Sequence, residues 1–288
     1  MSMRATTKLR QLLASGRTVV APGVFDGLSA RLAEQAGFAA LYASGGAIAR
    51  SAGIPDLGLL SLSEIVARLE TIVDAVAVPV IADADTGYGN ALNVQRAVRA
   101  FERAGVAALH LEDQTFPKKC GHYDDKGLVP VGEMAQKLKA ARDALSNQDL
   151  VIIARTDAIA VEGFTAALDR AAAYGEAGAD VIFVEAPTNE EEIAAVARRF
   201  PGWKLINMFH GGKTPLLPVA RLEALGYNIV IIPSDLQRAA IKAMQRALDC
   251  IAREGSTAGM IADMASFKER EAVIDTPGYI ARDKRYAS

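Results

Sequence analysis

Short runs of valine, isoleucine, leucine and alanine recur along the chain, separated by longer stretches with a helical period. The runs are TVVAP (18–22), FAALYAS (38–44), VPVIADAD (78–85), VAALHLED (106–113), LVIIART (150–156), DVIFVEA (180–186), WKLINM (203–208) and YNIVIIP (227–233). They are apolar almost throughout instead of at every second position, as parallel strands covered on both faces are. Seven helical patterns lie between them and another follows the last.

Local signals mark the helix ends. Ser61-x-x-Glu64 and Thr188-x-x-Glu191 read as capping boxes, and Thr214-Pro215 reads as a cap followed by a first-turn proline. Ala36-Gly37, Ala104-Gly105, Ala177-Gly178 and Leu225-Gly226 each put glycine just before a strand, where a left-handed residue ends a helix at little cost. Eight strand–helix units predict a (β/α)8 TIM barrel, in class α/β. An open doubly wound sheet is the alternative, but no GxGxxG follows the first run. The barrel is expected over residues 1–255, with a C-terminal helical tail over 256–288 packing on the barrel or on a partner subunit.

Composition narrows the class. The chain has 288 residues, 51% of them hydrophobic, and a formal net charge of −2. No basic stripe suggests nucleic acid. The opening MSMRATTKLRQLLASG lacks the apolar core of a signal peptide, and no run reaches the ~18 apolar residues a membrane helix needs. Two cysteines, Cys120 and Cys250, make no disulfide framework, so a cytoplasmic setting is expected.

Polar residues gather where the strands end. Strand two runs into Ser44-Gly45-Gly46, strand three into Asp83 and Asp85, and strand four into Glu112 and Asp113. Strand five ends in Arg155 and Asp157, strand six in Glu185 and strand seven in Asn207. In a barrel that end is where active sites are built. Side chains two apart on an extended chain share a side, so Asp83 and Asp85, with Glu112, form a carboxylate cluster suited to Mg²⁺, with Mn²⁺ also open. The three histidines show no paired zinc spacing. A Schiff-base mechanism lacks its lysine, because Lys204 stands at the start of strand seven. GGKTP (211–215) fails the phosphate-loop pattern at Asn207, but a glycine-rich turn opening a helix there can still bind an anion.

Two connections, 44–60 and 114–130, are longer than a barrel requires, as functional flaps are. The second contains PKKCGH (117–122). Lys118, Lys119 and a protonated His122 favour the thiolate of Cys120, a reactive setting for a thiol delivered by a closing loop over an anionic substrate.

The stretches YASGG (42–46), GIPDLG (53–58), DADTGYGN (83–90), HLEDQ (110–114), KKCGH (118–122), ARTDA (154–158), FVEA (183–186) and NMFHGGKTP (207–215) resemble the isocitrate lyase/phosphoenolpyruvate mutase superfamily, and within it the methylisocitrate lyase-like branch. The resemblance implies Mg²⁺ held by Asp83, Asp85 and Glu112, with Asp56 in the outer shell. It implies substrate binding by Tyr42, Ser44, Gly45, Gly46, Gly121, Arg155, Glu185, Asn207 and His210. The implied reaction is cleavage of a 2-hydroxy di- or tricarboxylate, of the 2-methylisocitrate or 2-alkylmalate type, to a 2-oxo acid and a second carboxylate. Cys120 would protonate the departing carbon, tuned by Lys118, Lys119 and His122. Carboxyphosphonoenolpyruvate mutation and oxaloacetate decarboxylation or hydrolysis are the alternatives on the same scaffold. A homotetramer, a dimer of dimers exchanging a C-terminal helix, is also implied. His210 departs from the glutamate common in the branch, which leaves the substrate more open than the reaction.

Overall fold

The computed structural model describes residues 3–119, 121 and 125–287. Eight parallel strands close into one barrel in sequence order: β1 (Val19–Val24), β2 (Leu41–Ala43), β3 (Val80–Asp83), β4 (Ala108–Glu112), β5 (Val151–Thr156), β6 (Val181–Val184), β7 (Trp203–Asn207) and β8 (Ile229–Ile232). The barrel predicted from the eight runs is therefore present, with β1 paired to β8 at the seam.

Alternation along the strands sorts side chains into two cores. Val80, Ala82, Leu109, Leu111, Ile152, Ala154, Ile182 and Ile206 face outward and meet the helices. Ile81, Val151, Ile153, Val181, Phe183 and Leu205 face inward, and Leu9 and Leu13 of α1 (Ala5–Ala14) join this inner group. The α1 helix therefore plugs the amino-terminal end of the barrel. It is tied there by Thr7 to Asp149 and Arg10 to Asp180, residues that precede strands. The apolar floor leaves only the opposite mouth for polar chemistry.

The helices between strands are α2 (Gly27–Gln35), α3 (Gly45–Ser51), α4 (Leu62–Asp74), α5 (Ala91–Arg103), α6 (Val131–Ala144), α7 (Ile159–Glu162), α8 (Phe164–Glu176), α9 (Glu190–Arg199) and α10 (Val219–Ala224). Ser61 caps α4 in the expected capping box with Glu64, and Gly37, Gly105, Gly178 and Gly226 all have positive φ. Three local expectations are corrected. The cap of α9 is Asn189, one residue later than predicted, because its Oδ1 accepts from Glu192 N while Glu192 bonds back to Thr188. Thr214-Pro215 does not open a helix: α10 starts at Val219 behind Pro218, so GGKTP offers no helix terminus to an anion. The connection after β2 is not all loop, since Ser44 caps the short α3.

After β8 comes α11 (Asp235–Glu254), then a 3-10 turn over Ala258–Asp263, α12 (Phe267–Val273) and α13 (Thr276–Tyr286). The tail touches the barrel where Gln35 Nε2 donates to the Val273 carbonyl at 3.1 Å. Much apolar surface on these elements is bare, with Leu248 64% and Phe267 72% exposed.

Candidate active site

The alternation that builds the inner core also builds the site. One or two residues beyond the apolar layer, Tyr42, Asp83, His110, Glu112, Arg155, Glu185 and Asn207 stand at inward positions, all buried. Strand register sets Asp83 opposite His110 and Glu112 opposite Arg155.

The carboxylates fall into two groups. Ligand atoms of Asp83, His110 and Glu112 lie within 4.8 Å of one another. Asp85 does not continue the extended strand as expected, for its φ is 47°. This turn sends the Asp85 carboxylate towards the loop, where Lys118 Nζ lies 2.9 Å from it and 2.5 Å from Asp56 Oδ1. Glycine is required beneath: a Cβ on Gly45 would come 2.7 Å from Asp83 Oδ2, and one on Gly46 the same distance from Asp56 Oδ2. Gly45 N instead donates to Asp83 Oδ2 at 3.2 Å.

Tyr42 Oη lies 2.7 Å from His110 Nε2. Burial, against the pull of Asp83, lowers the His110 pKa to about 4, so the ring is neutral at pH 7. Its 3.3 Å approach to Asp83 Oδ1 is then a dipolar contact, not an ion pair. Burial resists charge on Asp83, but His110, Lys118 and Arg155 outweigh it and hold the pKa down, to about 2. Burial pushes Asp85 up to about 6 despite Lys118. Glu112 is raised well above the usual range by burial, although Arg155 and Lys118 oppose this.

The directions on Lys118 and Asp85 differ because one ammonium serves Asp85, Asp83, Asp56 and Glu112 together, which raises its own pKa strongly despite burial. Four buried carboxylates around one lysine leave the cluster short of positive charge. Glu112 Oε1 and His110 Nδ1 have no hydrogen-bond partner among the described residues. Hard oxygen donors, a charge deficit and an unpartnered carboxylate oxygen fit a divalent cation such as Mg²⁺.

Arg155 faces this cluster. Asp157 holds it through Nε (2.8 Å) and Nη2 (3.0 Å), while Glu112 and Glu185 each stand 3.5 Å away. Asn207 Nδ2 reaches Glu185 at 3.4 Å. These groups border a cavity of about 260 Å³ that Tyr42, Ser44, Gly46, Asp56, Asp83, Lys118, Gly121, Arg155, Glu185 and Asn207 help to line. Phe209, Ile231, Pro233 and Ile241 add apolar surface to it, and Arg50, Gln237 and Arg238 also line it.

Some expected residues are elsewhere. Lys119 turns away, its Nζ donating to the Asp125 carbonyl at 2.9 Å. His210 borders an adjoining shallow depression with Asp235, Lys242 and Gln245, which shares Arg238 and Ile241 with the cavity. Cys120 and His122 lie outside the described residues. Sequence reasoning missed His110 as a possible ligand, although its spacing of two from Glu112 was a usable signal. It also missed the cavity-lining residues of α11, Gln237, Arg238 and Ile241.

A family model described as phosphoenolpyruvate phosphomutase matches residues 9–252. The 2,3-dimethylmalate lyase of Eubacterium barkeri is 49% identical over 268 residues, 93% of each chain. The 2-methylisocitrate lyase of Aeropyrum pernix is 46% identical over 97% of this chain and 89% of its own. Among solved structures, a 2,3-dimethylmalate lyase superposes with a TM-score of 0.94 at 37% identity, covering 99% of this chain and 96% of that one. A phosphonopyruvate hydrolase complexed with oxalate and Mg²⁺ superposes with a TM-score of 0.90 at 36% identity, covering 99% and 100%.

Proposed function

The chain belongs to the phosphoenolpyruvate mutase/isocitrate lyase superfamily, and on that premise we propose that it is a Mg²⁺-dependent carbon–carbon lyase acting on a 2-hydroxy di- or tricarboxylate of the 2-alkylmalate or 2-methylisocitrate type. The observation that carries this reading is the pairing of Arg155 with a carboxylate cluster short of positive charge, at a cavity that Phe209, Ile231, Pro233 and Ile241 also line. An anionic head fits the charged lining groups and an alkyl substituent the apolar ones.

In the reaction the C2–C3 bond breaks. The C2 hydroxyl loses its proton and becomes the carbonyl of a 2-oxo acid such as pyruvate. The electron pair passes to C3, whose adjoining carboxylate takes enediolate character until C3 gains a proton. Asp83 and Glu112, with His110 and the more distant Asp85 and Asp56, would hold the cation, which when bound supplies Lewis-acid polarisation of the hydroxy-acid oxygens. Arg155 steadies negative charge on the same head. Ser44, Gly45 and Gly46 border the carboxylate end, and Glu185 and Asn207 the departing fragment. Cys120 is assigned the proton delivered to C3, with His122 and Lys118 beside it in the chain.

The reading extends to assembly: a barrel over 1–255, a tail over 256–288, and a homotetramer in which C-terminal helices are exchanged. The bare apolar side chains of α11 and the tail support it. No helix is long and apolar enough to cross a membrane, and a cytoplasmic setting accords with the two cysteines.

The test is incubation with Mg²⁺ and, separately, 2,3-dimethylmalate, 2-methylisocitrate, oxaloacetate and carboxyphosphonoenolpyruvate, with products read by NMR. A 2-oxo acid and a new C–H bond from either of the first two, lost in Cys120→Ser, are expected. Turnover of the phosphonate alone, or of oxaloacetate independently of Cys120, would replace the lyase with a mutase or a hydrolase.

A further inference from the structure

Lys126 is a buried cation that does not border the cavity. Its side chain is 1% exposed and the Asp157 side chain facing it is fully covered. Lys126 Nζ donates to Asp157 Oδ1 at 2.8 Å and to the Gly121 carbonyl at 2.5 Å. Asp157 is held on three sides. Asp113 Oδ1 accepts its backbone N–H at 2.9 Å, Lys126 takes one carboxylate oxygen, and Arg155 takes both. Gly121 packs so tightly on the guanidinium that a Cβ there would overlap Arg155 Nη2.

Asp157 needs no second cation for charge, since Arg155 already pairs with it at two atoms. Burying another ammonium costs more by desolvation than an apolar side chain of the same size would. Its two bonds make geometric sense instead. One fixes the rotation of the carboxylate that aims Arg155, and the other fixes the backbone lying on the same guanidinium. We propose that Lys126 is a positioning residue, which holds Arg155 at the cavity by locking Asp157 and the Gly121 backbone. It touches neither the substrate nor the cation cluster.

This role rests on the lyase reading only for turnover. Binding of oxalate, a small dicarboxylate probe, tests it independently. Calorimetry with oxalate and Mg²⁺ would compare wild type with Lys126→Met, Lys126→Arg, Asp157→Asn and the double variant Lys126→Met/Asp157→Asn. We expect Lys126→Met to weaken oxalate by about tenfold, the loss of one well-placed charged hydrogen bond. With an active substrate, kcat falls by about a hundredfold. Lys126→Arg recovers part of both, and the double variant loses less than the two single losses combined, because only the Gly121 bond remains to be removed once Asp157 is changed. If Lys126→Met does not fold, Lys126→Gln takes its place. Oxalate affinity and kcat within twofold of wild type, with or without a lower melting temperature, would overturn the proposal. So would additive losses in the double variant, because the route through Asp157 would be gone. A wild type that binds oxalate yet cleaves no 2-hydroxy acid would sink the lyase reading and leave the oxalate comparison to decide on Lys126.

Discussion

Glu112 stands opposite Arg155 in the β4–β5 ladder, yet only one of its oxygens meets the guanidinium, Oε2 at 3.5 Å, while Oε1 has no hydrogen-bond partner among the described residues. A buried carboxylate half paired in this way is stabilised by a cation. Adding Mg²⁺ to metal-free protein should raise the melting temperature, by an amount equivalent to about 2.7 kcal/mol at a hundredfold excess over Kd. Asp83→Asn and Glu112→Gln should flatten that titration in differential scanning fluorimetry. An unchanged response in both variants would locate the cation elsewhere.

Arg155→Lys keeps a charge but loses the planar fork that Asp157 grips at 2.8 and 3.0 Å. Expected is a fall in kcat of about a hundred- to a thousandfold, the range for removing a donor aimed at developing charge. Steady-state kinetics on the best 2-alkylmalate would read it. Full activity in the lysine variant would remove Arg155 from the charge-stabilising role.

The pH dependence of metal-free stability should expose His110. Its folded pKa of about 4 lies below the reference 6.5, so between these values the unfolded chain takes up a proton that the folded chain refuses. Stability is therefore complete above pH 6.5 and is lost as pH falls through the folded value. About 3 kcal/mol is at stake for this one group. Urea unfolding in EDTA at several pH values should show a shallower decline for His110→Gln than for wild type. Parallel curves would mean the ring is not held neutral.

Gly45→Ala puts a methyl 2.7 Å from the Asp83 carboxylate. Asp83 must move, and it is packed by His110 and the Asp85 N–H. Destabilisation of about 1–3 kcal/mol is expected, with cation affinity falling further than stability does. Calorimetric Mg²⁺ binding and urea unfolding, measured together, separate the two effects.

The bare apolar residues of α11 and the tail, among them Met244, Leu248, Ile261 and Phe267, should be covered in solution by other copies of the chain. Sedimentation should find a tetramer for the full chain. A chain ending at Gly255 should give a smaller species. A monomer at every concentration in the full chain would refute the assembly.

The barrel was legible because each strand is a near-continuous apolar run and glycine ends the helix before four of them, and the strand-borne residues of the mouth follow from counting in twos past those runs. Loops have no such period. Lys118 and Lys119 are neighbours in sequence, yet one is buried against Asp56 and Asp85 and the other bonds Asp125 outside the cavity. No pattern distinguishes them, since the difference is set by where the loop backbone lies. Lys126 was invisible for a stronger reason: a lysine in a polar loop reads as solvated, and only its partners reveal burial. The side-by-side placing of Asp83 and Asp85 assumed an extended chain where the backbone turns left-handed. His110 was readable from HLED and was passed over because zinc was the only metal for which histidine was weighed.

The mouth is assembled from two kinds of support. Asp83, Glu112, Arg155 and Asn207 stand on or at the ends of strands locked by neighbours on both sides, whereas Phe209, Pro233, Gln237, Arg238 and Ile241 come from a loop and the first turns of α11. Such a molecule can change its diet without relearning its chemistry. Drift in the second set reshapes what fits, and the first set goes on handling charge as before. A scaffold divided in this way can serve lineages that part company over substrates, with a 2,3-dimethylmalate lyase and a phosphonopyruvate hydrolase sharing one frame.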